Sequence, residues 1–435
     1  MADIRPFSAI RYVAKMGFPF SDVIAPPYDV LNAADKAALQ AKHPNNIVNV
    51  DLPFMPPKSI GPDEVYDGAN ITLQAWLDAK ILQRDRRPAL YPYTQSYDLH
   101  GKTYHRRGFM CLVRLSPFDG GHVVPHELTH AGPIEDRLKL MRATGMQLSP
   151  IFGLFSDVRG AVTRMLYANV GRPELDGTLD GIRNQLWSVI DAEVERQVID
   201  AIGIKPIYIA DGHHRYTTAL QYLQEMEAAN GGPLPPNHPA NFCLFVLVGM
   251  QEDGLQILPT HRLIGGITDF DPQILRAELG ENFRVTDVAM GPSQMAEFAA
   301  DVAGDEPHTF GLYDGVAKRL YTLHLRNNVD VLEPIEPTKS QAWRRLDVAV
   351  LHRYLLDEVI KPAFVSGKDL TTGYTADPKE IPIAVDGQEF QLAVLLRPTP
   401  LHALEELGKT GEVMPQKSTY FFPKLATGMA MYSLR

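Results

Sequence analysis

The chain has 435 residues, of which 45% are hydrophobic and 22% charged, and its net charge at pH 7 is −10. This composition is typical of a globular protein, the length favours two lobes, and the acidic balance argues against a nucleic-acid partner bound through a broad basic face. The longest apolar run, residues 242–250, is too short to cross a bilayer. The first residues contain no apolar h-region, so we expect no secretory signal. Cys111 and Cys243 lie in apolar runs, as expected of free thiols. We expect a cytoplasmic protein with no membrane partner.

The hydrophobic periodicity predicts helices and strands that alternate irregularly. Helices are predicted over residues 33–42, 64–82, 133–141, 158–168, 191–202, 216–226, 272–279, 293–302 and 346–359. Strands are predicted over residues 47–52, 90–97, 104–115, 121–125, 149–155, 182–190, 205–210, 242–250, 255–258, 308–313, 320–325 and 391–396. Hairpins mixed with strand–helix pairs indicate an α+β (mixed α/β) fold with mixed sheets. We expect an N-terminal lobe over residues 1–200 and a C-terminal lobe over residues 201–435.

The strongest candidate site is the place where the strand over residues 205–210 gives way to a helix. Five residues stand at this joint: Asp211, Gly212, His213, His214 and Arg215. The backbone N–H groups and dipole at a helix start favour an anion such as phosphate, and the guanidinium of Arg215 suits phosphate oxygens. Asp211 would hold a divalent cation or orient a histidine, and either histidine would donate to the phosphate or act as acid or base. The residues alone do not say which anion binds.

His126, Glu127 and His130 match the zinc-peptidase pattern of two histidines and a glutamate on one helix. That pattern requires a helix, but residues 123–125 before it look extended and residues 131–133 break the chain after it. We therefore expect Glu127 to be a loop carboxylate that faces the anion site, and zinc hydrolysis remains the lesser alternative.

Other loops supply further candidates. Asp29 follows a proline-fixed turn, and Arg262 follows a predicted strand end. Near the C-terminus, Lys417, Ser418 and Lys424 lie in a loop without the glycine spacing of a phosphate-binding loop. We predict that Lys417 or Lys424 closes over the anion, that Arg262 and Ser418 assist it, and that Asp29 or Glu127 is a catalytic carboxylate.

These stretches together resemble the bacterial family known as domain of unknown function 1015 (DUF1015). The matching pieces extend over about residues 4–430 and are residues 4–7, 25–30, 126–129, 135–137, 149–152, 210–216, 259–262 and 414–419. His130 departs from the family pattern, which weakens the zinc interpretation. The resemblance implies one family unit over nearly the whole chain but no activity.

The joint at residues 211–215 is also similar to a loop of free-serine kinases in the ParB/sulfiredoxin superfamily, where the loop holds nucleotide phosphates. This resemblance implies a kinase or related phosphotransferase that transfers phosphate from ATP or ADP to a small hydroxyl substrate, with Mg²⁺ as the accompanying cation. The alternative is a nucleotide-binding switch of the ParB type without turnover. The sequence leaves room for a homo-oligomer.

Overall fold

The computed structural model describes residues 3–435 apart from residues 15–16, 128, 130, 169, 204, 269, 327–328, 366–368 and 386–388. The chain separates into two compact units. The first contains residues 1–125, 129–256 and 423–435, and the second contains residues 126–128 and 257–422. The lobe boundary predicted between residues 200 and 201 stays a prediction, and both residues belong to the first unit. Within the described ranges, no helix has the length and apolar character needed to cross a bilayer.

A mixed sheet forms the centre of the first unit. Across the described residues its strands are, in spatial order, Val123–Val124, Ile207–Asp211, Ile151–Phe155, Phe242–Gly249, Lys102–Arg114, Tyr91–Leu99, Ile182–Leu186 and Leu175–Leu179, with Ile4–Arg5 also beside Lys102–Arg114. Every residue of Phe242–Gly249 is buried because this strand has a neighbour on each side. The predicted long hairpin is confirmed, since Tyr91–Leu99 pairs antiparallel with Lys102–Arg114. Short pairs also join Ile10–Tyr12 to Leu82–Arg84 and Met146–Gln147 to Tyr432–Ser433.

The helices of the first unit carry apolar faces that pack in its core. They are Ala33–Lys42, Val48–Asp51, Asp63–Asp78, Ala131–Thr144, Ala161–Tyr167, Ala192–Ile202 and His213–Asn230, with 3₁₀ turns at Phe20–Asp22, Tyr28–Val30, Phe118–Gly120 and Pro239–Asn241. The strand predicted over residues 47–52 was wrong, because Val48–Asp51 forms one helical turn instead. The side chain of Asn46 accepts a hydrogen bond from the N–H of Val48 at 3.0 Å, which starts that turn.

The second unit is built on an antiparallel sheet. Its strands are, in spatial order, Phe283–Val288, Arg319–Leu325, Thr309–Asp314, Leu392–Leu395, His261–Gly265 and Thr371–Thr375. The helices are Pro272–Leu279, Met295–Gly304, Gln341–Arg344, Asp347–Ala349, Lys361–Phe364, Ile381–Val385 and His402–Thr410, and Val350–Ile360 winds as a π-helix. Further short elements are Gln256–Leu258, Pro292–Gln294, Pro378–Glu380 and Tyr420–Phe422. Phe298, Tyr313 and Leu395 belong to its buried core. Both units confirm the predicted α+β class.

Gly254, in the turn before residue 256, packs directly against the backbone of a neighbouring strand. A Cβ atom on Gly254 would lie 2.3 Å from the carbonyl oxygen of His105 and 2.4 Å from the backbone nitrogen of Arg106. These are backbone atoms of a sheet strand, which cannot move aside as the end of a flexible side chain can. We therefore expect Gly254→Ala to lower the free energy of unfolding by about 2 kcal/mol. Urea denaturation measures this. The control is Gly171→Ala, whose Cβ meets no atom within 4 Å, and an equal loss in both variants would refute the explanation.

Candidate functional site

The candidate site lies at the predicted strand–helix joint of the first unit. A β-bulge interrupts the strand pairing just before Asp211, and the chain then turns through Gly212, whose φ is 96°. The helix His213–Asn230 begins directly after it. Other helices of this unit are capped by side chains, such as those of Asn32 and Asp191, but Gly212 has no side chain to cap this one. No side-chain cap therefore offsets the positive end of the helix dipole at Gly212, and this favours an anion there.

Asp211 holds two cations at this joint. Its Oδ1 accepts a hydrogen bond from Nζ of Lys424 and its Oδ2 accepts one from the Arg215 guanidinium, each at 3.0 Å. Burial alone raises the pKa of the Asp211 carboxyl, but Lys424, Arg215 and the neighbouring His213 outweigh burial and hold the pKa well below its usual range. The carboxylate is therefore ionised at neutral pH. Of the two lysines considered from the sequence, Lys424 is the one that contacts Asp211.

Arg215 folds back over the joint. Its guanidinium lies against Gly212, where a Cβ atom would come within 3.0 Å of Cζ, Nε and Nη2. One amino group donates to the carbonyl oxygen of Pro150 and the other to Asp211. Arg215 was expected to direct its planar fork at a ligand, but here the fork also fastens the joint to the neighbouring strand. His213 is buried in the first turn of the helix, and His214 is half-buried there.

A layer of paired charges lies beside the joint. Arg137 is buried, its Nε donates to Asp136 at 2.8 Å, and its Cζ lies 3.9 Å from the ring centroid of Tyr28. It also donates to the carbonyl oxygen of Asp51 at 2.5 Å. Tyr28, Asp51, Arg137 and Arg215 are among the residues that line a cavity of about 40 Å³. Because this volume suits one or two water molecules, the cavity is too small for a nucleotide.

Two carboxylates of this layer differ in surroundings. Burial raises the pKa of Asp51, and the charges of Arg137 and Arg215 only partly oppose it. Asp29 is half-buried in the turn Tyr28–Val30. Burial also raises the pKa of the Tyr28 hydroxyl, Arg137 and Arg215 oppose that rise, and Asp29 adds to it. Asp29 and the joint therefore belong to one electrostatic neighbourhood in the first unit.

Sequence reasoning missed several charged residues around the joint. Arg106 is one, a buried side chain that donates to the side chain of Gln95 and to the carbonyl oxygen of Pro423. Burial lowers the pKa of Arg106 to about 10, and the negative charge of Asp211 opposes that shift. Nothing in the local pattern of residues 102–114 marks this arginine. Arg137 had a signal, because it belongs to a stretch that resembles the DUF1015 pattern.

The second unit brings other predicted residues together. The backbone N–H of Lys417 donates to the carboxylate of Glu127 at 2.5 Å, and Nε2 of His126 lies 2.8 Å from the hydroxyl of Thr419. Ser418 donates its hydroxyl to the carbonyl oxygen of Pro415. Glu127 thus anchors the loop over residues 414–419. Residues 126–129 and 414–419, which both resemble the family pattern, therefore meet although they are distant in sequence.

Arg262 lies buried in the same unit among neutral acceptors. It donates to Nε2 of His352 at 3.1 Å and to the carbonyl oxygen of Gln416 at 3.3 Å, and its Cζ lies 5.2 Å from the ring of Tyr374. Burial lowers its pKa to about 10. Nδ1 of His261 accepts from the N–H of Leu396 at 3.2 Å, so its proton is on Nε2, which meets no hydrogen-bond partner in the described part of the chain.

The zinc interpretation fails on local geometry. His126 and Glu127 lie in a bend, and the helix that follows begins only at Ala131. His130, the other predicted ligand, lies outside the described residues. Among the described residues, no group of three or more His, Cys, Asp and Glu side chains is placed to hold a metal ion. A helical pair of ligands one turn apart is thus not formed by the described part of this motif.

The chain matches the family described as "Protein of unknown function (DUF1015)" over residues 4–349 and belongs to that family, which confirms the predicted membership. No curated protein matches the sequence.

Three solved structures match this chain at low similarity. A free serine kinase in complex with AMP is 14% identical with a TM-score of 0.31, over 69% of this chain and 83% of that one. A conserved hypothetical protein from Pyrococcus furiosus is 14% identical with a TM-score of 0.34, over 72% and 92%. SbnI from Staphylococcus aureus, truncated at its C-terminus, is 11% identical with a TM-score of 0.34, over 74% and 87%. At these identities and TM-scores the solved structures assign no role to any residue of this chain. The roles of the residues follow from the geometry of this chain alone.

The pair of cations on Asp211 makes a prediction about stability. In Asp211→Asn, Lys424 and Arg215 lose their counter-charge in a mostly buried place, so the free energy of unfolding should fall by about 3 kcal/mol. Urea denaturation at pH 7 measures the change. The matched variant Asp176→Asn removes a more exposed partner of Arg183 and should cost much less. Equal costs would mean that the joint is not a buried charge cluster.

Two histidines make the second unit sensitive to acid. Burial and the charge of Arg262 lower the pKa values of His261 and His352 to about 4. As the pH is lowered from 6.5 to 4, the unfolded chain therefore binds protons that the folded chain does not. At pH 5 each histidine lowers the free energy of unfolding by roughly 2 kcal/mol relative to neutral pH. His352→Gln should weaken this dependence in urea denaturation. The exposed His105→Gln should leave it unchanged, and an unchanged slope in His352→Gln would contradict the assignment.

Proposed function

We propose that this protein is a nucleotide-dependent phosphotransferase that transfers a phosphoryl group from ATP or ADP to a hydroxyl group of a small metabolite. The observation that carries the proposal is the joint itself. A helix of 18 residues starts at a glycine in the left-handed conformation, and Lys424 and Arg215 meet there on one ionised carboxylate. A glycine-led helix start with adjacent cations favours phosphate oxygens over neutral ligands.

Each part of the joint has a distinct role in this proposal. The backbone at Gly212 and the first turn of the helix receive phosphate oxygens, and His213 and His214 stand in that turn as donors or as a proton carrier. Lys424 supplies a compact point charge, and the planar guanidinium of Arg215 is held by its hydrogen bond to the carbonyl oxygen of Pro150. Together they offset the charge of the transferring group, which is the main requirement of phosphoryl transfer.

Asp29 is the base that we propose from the first unit. It is half-buried beside Tyr28, in the same electrostatic neighbourhood as Arg215. A base must reach the substrate hydroxyl within hydrogen-bonding distance, directly or through one water. Glu127 remains the alternative carboxylate, and the nucleotide-binding roles of Arg262, Lys417 and Ser418 remain predictions for the second unit.

Asp211 does not fit the predicted Mg²⁺ site in this arrangement. Mg²⁺ requires oxygen ligands with near-octahedral geometry. Both oxygens of Asp211 already accept from cations, Lys424 on one and Arg215 on the other. A metal ion there would face two positive charges at close range, so we assign no step of the proposed reaction to a metal on Asp211.

A nucleotide-binding switch is the second candidate, and one observation favours it. A bound phosphate would compete with Asp211 for Lys424 and with the carbonyl oxygen of Pro150 for Arg215. Exchange of these partners would change how the joint is fastened to the strand Ile151–Phe155 and to residues 423–435. Such a change needs no turnover.

Nucleotide binding tests the joint directly. Gly212→Ala places a methyl group against the Arg215 guanidinium and strains the left-handed turn, so ATP and ADP should bind at least tenfold more weakly, as measured by isothermal titration calorimetry. Gly231→Ala is the matched control, because Gly231 has a φ of 75° at the other end of the same helix and its Cβ would meet no atom within 4 Å. Lys424→Met should weaken binding and Lys139→Met should not. Equal binding by all these chains would exclude the joint as the phosphate site.

Turnover separates the kinase from the switch. The wild-type chain is incubated with ATP or ADP and a panel of hydroxyl-bearing amino acids, and phosphorylated product is sought by mass spectrometry. A product that disappears in Asp29→Asn or Glu127→Gln, with nucleotide binding retained, would support the kinase and identify its base. Nucleotide binding that is lost in Arg215→Ala, with no product from any substrate, would support the switch. Stoichiometric zinc in the purified protein would revive the metal-hydrolase alternative.

A further inference from the structure

The second unit contains a large cavity that none of the roles above uses. Its volume is about 860 Å³, within the range of small-molecule sites. The cavity is lined by the segment Arg397–Pro400, by residues of the helix His402–Thr410, by His308 and by residues 344–347. The cavity is therefore large enough for a metabolite of nucleotide size, unlike the cavity of about 40 Å³ in the first unit.

The charged side chains of this cavity are biased towards the positive. Asp330 accepts from Nε of Arg344 at 2.8 Å, and Asp347 accepts from the backbone N–H of His308 at 2.9 Å. Arg344 therefore neutralises Asp330, whereas the backbone N–H of His308 leaves the negative charge of Asp347 in place. The remaining charged residues that line the cavity are Arg345, Arg397, Glu406 and Lys409. Three cations thus face two carboxylates, Asp347 and Glu406, in a chain whose net charge is −10.

Arg397 is the residue that points most directly to a ligand. Its Nε is buried and meets no hydrogen-bond partner in the described part of the chain. A buried donor without an acceptor costs free energy, and the cost is larger for a charged group. Arg397 also lines the cavity, so a shift of its side chain would bring Nε to an acceptor on a ligand and remove that cost. Arg345 and Lys409 are exposed at the same cavity, where long cationic side chains are free to adjust to a ligand.

The helix His402–Thr410 adds a second favourable element. Its N-cap residue, Leu401, makes no side-chain cap, and His402 and Ala403 in its first turn line the cavity. The positive end of the helix dipole therefore adds to the charge of Arg397. The dipole alone would not make a site, but it reinforces the cationic wall.

We propose that this cavity binds a small organic ligand that carries a phosphate or diphosphate group. The guanidinium groups of Arg345 and Arg397 match phosphate oxygens in geometry as well as charge, which favours phosphate over a simple carboxylate. The inference is independent of the proposed function, because its residues are all in the second unit and none belongs to the Gly212 joint. It gives the protein a second anion site, distinct from the nucleotide site.

Inorganic pyrophosphate is the probe that tests this cavity, with binding measured by isothermal titration calorimetry. The titration uses the full chain carrying Lys424→Met, so that the Gly212 joint contributes as little as possible and the outcome does not depend on the proposed function. We expect Arg397→Gln and Arg345→Gln each to weaken pyrophosphate binding by about tenfold, which corresponds to about 1.4 kcal/mol. Arg345 is exposed, so its variant remains informative if Arg397→Gln does not fold.

The control is Arg284→Gln, which removes an exposed arginine of the second unit outside the cavity. Binding that weakens in both cavity variants but not in the control would support the site. The proposal is overturned if pyrophosphate does not bind, if the cavity variants bind it as tightly as the parent chain, or if the control loses as much affinity as they do. The last outcome would indicate general charge attraction.

Discussion

The compensation of one partly buried carboxylate organises the candidate site. Asp211 stays ionised because Lys424 and Arg215 outweigh the cost of burial, and each cation is in turn fixed by that same carboxylate. Glycine is needed at position 212 because the Arg215 guanidinium occupies the space of a side chain and because the backbone there is left-handed. Charge pairing, backbone conformation and the start of the helix are thus one interdependent arrangement. A change to any of them alters the other two.

The sequence predicts this joint well because its signals are local. An apolar run, a glycine and a helical period fall within about twenty residues, and the observed strand and helix follow them. The same reasoning identifies the hairpin over residues 91–114 and the buried strand Phe242–Gly249. It fails at residues 47–52, where a β-branched apolar run is typical of a strand but the side chain of Asn46 starts a helical turn. Local propensity is there overridden by a single capping contact.

The surroundings of the joint could be predicted only in part, because they come from distant parts of the chain. Lys424 was predicted to close over the anion, but only as one of two alternatives with Lys417. Arg137 was marked only by its place in a family stretch, and no local pattern marks Arg106 as a neighbour of Asp211. The electrostatic role of Arg215 was predictable from its charge, but its bond to Pro150 was not. The spacing of His126, Glu127 and His130 matches a helical metal motif, but the extended residues before it predicted a loop carboxylate. Which residue Glu127 contacts, the N–H of Lys417, was not predictable. Residue type indicates what a group can bind, and only the fold decides which partner it has.

The position of Lys424 has a consequence for biosynthesis. It lies 213 residues after Asp211, and the intervening chain contains most of the second unit. A ribosome therefore makes the strand, the glycine turn and the helix long before it makes the lysine that neutralises them. Until residues 423–435 emerge and dock, the nascent first unit holds an incompletely compensated carboxylate and an unfinished core. The first unit is thus completed only after the second unit has been synthesised. Any chaperone that acts on the nascent chain would meet the first unit in that incomplete form.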